Sequence, residues 1–131
     1  MPKWKKVNCV NQWAAEKIIH FFVKGLISYI LYHFHIPDMT FSGESVVETE
    51  YELHIPGMGK GITDVYDVKR KICFEVQTES DPEEEKRKKK YLDSDQVVAM
   101  RIIRTDELPK ECTDAILKLY NTLKEEVEKS P

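Results

Sequence analysis

Cysteine is scarce in this chain. Its three residues, Cys9, Cys73 and Cys112, are widely spaced and form no Cys-x-x-Cys pair. That excludes a zinc knuckle, a dithiol redox motif and a disulfide framework, and it reads as free thiols in a reducing compartment. A long apolar run is also missing. Lys24 interrupts the most hydrophobic segment, Ile18 to Ile36, and its part free of Lys, Arg, Asp and Glu, Gly25 to Pro37, falls short of the roughly 18 residues that span a bilayer. Lys3, Lys5 and Lys6 are not followed by the uninterrupted apolar stretch of a signal peptide, because Asn8, Asn11, Gln12 and Glu16 break it. The expectation is a cytoplasmic protein with no membrane partner. Charge of one sign is lacking as well. Lys and Arg number 20 against 23 Asp and Glu, a net charge of −3, so no protein-wide field draws nucleic acid and any such binding rests on local basic patches. There is no internal repeat and no base-reading motif. His33, His35 and His54 lack zinc-ligand spacing and read as structural or surface residues.

What is present fits one domain over residues 1–131, with 41% hydrophobic residues to fill a core. After a basic extension, 1–10, the pattern predicts a helix over 11–36, capped by Asn11 and stopped by Pro37. At 100° per residue, Ala15, Ile18, Ile19, Phe22, Leu26, Tyr29 and Ile30 form its apolar arc, with Lys17, His20, Lys24 and Ser28 opposite and Glu16 on the boundary. The aromatic set Phe21, Phe22, Tyr29, Tyr32 and Phe34 reads as core or as a face for a homodimer, since a small domain can bury only part of so apolar a helix. From 44 to 78 the period becomes two, predicting a meander of three strands with a flexible turn at Pro56–Gly61. A helix over 81–92 follows, with Asp81 as N-cap and Pro82 at its first position. A strand over 96–104 and a helix over 113–129 complete an αβββαβα order, an α/β fold with a mixed sheet covered by helices.

Two carboxylates stand out inside apolar strands: Asp64 in Ile62-Thr63-Asp64-Val65-Tyr66, and Glu75 eleven positions later between Phe74 and Val76. A turn centred on Arg70 places Glu75 near Val65, with Asp64 close by. Carboxylates held so near repel each other and raise a pKa unless a divalent cation neutralises them, and hard oxygen donors favour Mg²⁺ or Mn²⁺. The structural alternative is a solvated sheet face whose acids pair with lysines. Asp67, of opposite strand parity, reads as a surface residue beside the turn.

Gly-Ile-Thr-Asp64-Val-Tyr followed by Cys-Phe-Glu75-Val-Gln77 resembles the core of the PD-(D/E)XK nuclease superfamily, which includes restriction endonucleases and archaeal Holliday-junction resolvases. The resemblance implies a restriction-endonuclease-like fold over roughly residues 11–105. It implies an ion held by Asp64, Glu75 and the Val76 carbonyl, with Glu16 matching the acid often supplied by the first helix. Glu48 or Glu50 is the alternative to Glu16. Thr63 stands where the family often has proline, and Gln77 replaces the usual lysine, so Gln77 would orient the attacking water by hydrogen bonding without supplying charge. The cation would then come from Lys86, Lys90 or Lys60, and the whole run Lys86, Arg87, Lys88, Lys89 and Lys90 reads as a grip on a phosphate backbone. The activity implied is Mg²⁺-dependent hydrolysis of phosphodiester bonds in DNA. The alternative is a nuclease-like fold without catalysis that binds nucleic acid or protein.

Overall fold

The computed structural model describes residues 11–36, 45–57 and 59–129. The expected basic extension at 1–10 and the Pro37 stop lie outside them. Helix α1, Gln12–His35, starts where Asn11 accepts a hydrogen bond from the Ala14 N–H at 2.9 Å. This bond satisfies one of the unpaired amides of the first turn. Strand β1, Val47–Ile55, pairs antiparallel with β2, Gly59–Asp67, in a register running from Val47 opposite Asp67 to Ile55 opposite Gly59. Both strands continue into the segment expected to be a flexible turn, β1 ending at Ile55 and β2 beginning at Gly59. Gly57 and Gly59 there take positive φ, 84° and 79°, which glycine adopts without steric cost.

Strand β3, Ile72–Gln77, is antiparallel to β2, with Val65 opposite Phe74 and Asp67 opposite Ile72. Helix α2, Glu84–Leu92, then crosses over to β4, Ala99–Arg104, which runs parallel to β3. A parallel neighbour cannot be reached by a hairpin, so the crossover is what topology requires. Asp81 caps the approach to α2, its carboxylate accepting from the Glu83 N–H at 2.9 Å, and the helix begins at Glu84 one turn later than expected. A short 3₁₀ turn, Thr105–Glu107, leads to α3, Lys110–Lys129. The fold is mixed α/β, one sheet in the order β1-β2-β3-β4 with three helices. No helix is long and apolar enough to cross a membrane among the described residues.

The two sheet faces carry different helices. Tyr66 and Cys73 pack with Leu53, Ile55, Met100 and Tyr91 of α2. Asp67, next to Tyr66 and so on the other face, reaches His35 of α1. On that second side Ala15 and Ile19 of α1 enclose Leu117 of α3. Leu53 and Ile55 share a cluster with Tyr66, although their partners Gly61 and Gly59 have the opposite parity on β2. The alternation must change phase between them. Glu50, a non-glycine residue at φ 49°, sits at that point and is unpaired in the ladder.

Two sequence expectations are corrected. Asp67 is not a surface residue: it is fully buried, bonded to His35 at 2.9 Å and to the Arg70 guanidinium at 2.6 Å, and it accepts the Arg70 N–H at 3.0 Å. A buried carboxylate needs such partners, and the turn supplies them. The polarity of α1 is partly reversed. Ala15 and Ile19 are buried as expected, but Leu26, Tyr29 and Ile30 are about half exposed, while His20 and Lys24 face the sheet.

Candidate functional site

Asp64 comes from β2 and Glu75 from β3, at the level where the β2–β3 ladder ends with Val65 opposite Phe74. Beyond that pair the Val76 N–H donates to Asp64 Oδ2 at 2.7 Å, so the side chain takes over where main-chain pairing stops. The two carboxyls lie within hydrogen-bonding reach of each other. The convergence expected from sequence is therefore present, and its register places Glu75 one residue nearer Asp64 than a turn centred on Arg70 gives.

Their environments push the two acids apart. Burial and then the Asp64 charge push Glu75 up to about 8, only partly opposed by the Arg87 guanidinium, with Glu50 adding further repulsion. Burial alone would raise Asp64 too, but bonds from His20 and from the Val76 N–H outweigh it and hold Asp64 below its usual value. At neutral pH the pair carries one proton, with Glu75 as donor and Asp64 as acceptor. Cys73 and Tyr91, buried beside this charge, are pushed up to about 11 and about 12, so both stay protonated.

Helix α1 approaches this pair with a stripe that the periodicity had assigned to solvent. His20 Nε2 lies 3.6 Å from Asp64 Oδ1, and Lys24 forms an ion pair with Glu50. Glu16, one turn earlier, accepts from Gln12 Nε2 at 3.1 Å, and the side chain of α1 that contacts Asp64 is His20. Sequence reasoning passed over His20. The signal was its place at i+4 between Glu16 and Lys24, three polar side chains on one edge of an apolar helix.

Helix α2 closes the other side. With its amide nitrogen toward Glu84 and its oxygen toward Arg87, Gln77 donates to Glu84 Oε1 at 3.0 Å and accepts from Arg87 Nη2 at 2.6 Å. Arg87 Nη1 holds Asp81 at 3.0 Å, and the buried Arg87 Nε has no hydrogen-bond partner. Within the basic run of α2, Arg87 is thus the cation whose charge acts on Glu75. Lys86 and Lys60 are mostly exposed and make only long contacts, 3.9 Å each, to Glu83 and Glu52. Lys86, Arg87 and Lys90 line a shallow pocket of about 230 Å³ with Asp81 and Glu83. Lys89 is exposed on the same helix.

Two carboxylates sharing a proton form a site at which a cation can replace that proton. Among the described residues no three His, Cys, Asp or Glu side chains converge as metal ligands. An ion here would take the Asp64 and Glu75 carboxylates and complete its shell with water and substrate oxygens. Mg²⁺ is commonly held this way. No family model, curated protein or solved structure matches the chain.

Proposed function

We propose that this protein is a metal-dependent nuclease that hydrolyses phosphodiester bonds in DNA, with Asp64 and Glu75 as its ion ligands. The observation that carries the reading is the meeting of these two carboxyls, Glu75 pushed up to about 8 by burial and by Asp64. Such a perturbed acid pair is costly for folding alone and marks a site where charge is meant to be neutralised. Bound there, Mg²⁺ or Mn²⁺ would supply an activated water and offset charge on the phosphate.

The chain's own groups have defined tasks. Glu75 would give up its proton to admit the cation, and His20 and the Val76 N–H keep Asp64 ionised and aimed. Arg87 stands beside Glu75, where it can meet a phosphate oxygen, and the exposed Lys86, Lys89 and Lys90 extend that positive surface along the strand being bound. Gln77 acts mainly by fixing Arg87.

The second reading is a nuclease-like domain that binds without cutting. It is favoured by the Gln77 amide, which is engaged by Glu84 and Arg87 and so is not free to orient a water. Both readings are tested by incubating plasmid and branched DNA with Mg²⁺ or Mn²⁺. Wild-type cleavage that disappears in Asp64→Ala and in Glu75→Ala supports the enzyme. Retarded but intact DNA supports the binding module, and cleavage equal in all three proteins refutes the assigned residues.

A further inference from the structure

Helices α1 and α3 meet at Ile19 and Leu117 and border a groove of about 430 Å³ whose lining contains no charged residue. Its walls include Phe21, Leu26 and Tyr29, exposed by 77%, 49% and 63%, and Leu119, Tyr120 and Leu123, exposed by 47%, 40% and 54%. Taking an aromatic side chain as about 150–250 Å² and leucine as about the low end of that range, these six expose roughly 500–700 Å². A soluble chain seldom leaves so large a contiguous apolar face to water without a partner.

We propose that a second copy of this chain covers the groove, forming a two-fold homodimer in which Phe21 of each copy seats over Gly25 of the other. The area agrees: two such faces bury roughly 1,000–1,400 Å² in total, the lower end of the range for specific interfaces. The shape agrees as well. Phe21 projects at the rim, and Gly25, one turn along the same face, has open space where a side chain would be. Two antiparallel α1 helices crossing midway between positions 21 and 25 place position 21 of each opposite position 25 of the other, so one knob and one notch are used twice, as an isologous contact requires. A groove without charge suits a copy of itself, since no complementary charge is needed to set its register. The stripe carrying His20 and Lys24 lies on another side of α1, so the acid pair stays accessible in both copies.

Sedimentation velocity on the full chain from about 1 to 100 µM tests this. The wild type is expected to sediment as a dimer, and Phe21→Glu, at an exposed position that leaves the fold intact by circular dichroism, to weaken association at least 100-fold. For register, Phe21→Cys chains are mixed with Gly25→Cys chains, both with Cys9 and Cys112 replaced by serine. Mild oxidation should give a covalent dimer in the mixture and far less with either variant alone. A wild type monomeric at 100 µM, a dimer indifferent to Phe21→Glu, or no cross-link in the mixture overturns the proposal.

Discussion

If Asp64 and Glu75 share one proton in the folded chain, raising the pH must destabilise the fold, and a divalent ion must reverse the loss. Below the ordinary glutamate value of 4.5, Glu75 is protonated in both folded and unfolded chains. Between there and about 8 the unfolded chain releases that proton while the folded chain keeps it. The folded state then binds more protons, so this contribution is complete below 4.5 and is lost as the pH rises through about 8. At roughly 1.4 kcal/mol per pH unit the ceiling is roughly 5 kcal/mol, and water reaching the pair reduces the expected figure to roughly 2–3 kcal/mol. In a domain of this size that is about 8–12 °C in melting temperature between pH 5 and pH 8.5 in EDTA. Glu75→Gln removes the titrating group and serves as reference, because acids such as Asp64, held low by His20 and Val76, impose their own dependence in acid. Mg²⁺ at about 100 times its Kd at pH 8.5 should return about 2.7 kcal/mol there. At pH 5.5, where the ion must first displace a tightly held proton, it should return almost nothing. Differential scanning calorimetry across pH, with and without Mg²⁺, reads both effects. Equal Mg²⁺ stabilisation at pH 5.5 and 8.5, or its persistence in Glu75→Gln, refutes the shared-proton site.

Further expectations concern the residues around that pair. Calorimetric titration with Mn²⁺ at pH 7 in buffers of different ionisation enthalpy should show close to one proton released per ion bound, and none in Glu75→Gln. Arg87→Met removes the guanidinium that lowers Glu75, so the pH midpoint of ion binding should move upward. Asp67→Ala leaves His35 buried without its partner and frees Arg70; urea unfolding should show a loss of about 3 kcal/mol. Gly61→Ala drives a methyl group into the Tyr91 hydroxyl and to 3.0 Å from Ile55, and should cost about 1–3 kcal/mol in the same assay.

Much of the fold was legible in the sequence because local rules and tertiary packing agree. Asn11 caps α1, the two-residue period locates the strands, and the chain from Glu84 to Leu92 is helical within the span that the acidic start and basic end predict. The acid pair was legible for a different reason, since a carboxylate between two apolar strand residues is anomalous wherever it occurs. What escaped depends on partners distant in sequence. Periodicity identified the apolar arc of α1, but an apolar arc marks a surface to be covered without saying that the same chain covers it, and Leu26 and Tyr29 face outward. His20 and Lys24 read as solvent-facing because Asp64 and Glu50, which attract them, lie 44 and 26 positions further along. Asp67 read as exposed because its burial depends on His35, 32 residues away. Arg87 was one basic residue in a run of five until Gln77 and Glu75 set it apart.

The most direct measurement is a crystal soaked in millimolar Mn²⁺, with data collected to show anomalous scattering. A single peak about 2.0–2.3 Å from one oxygen each of Asp64 and Glu75, their mutual hydrogen bond replaced, is the predicted result. An occupied peak elsewhere, or none while the two carboxyls remain bonded to each other, contradicts the account.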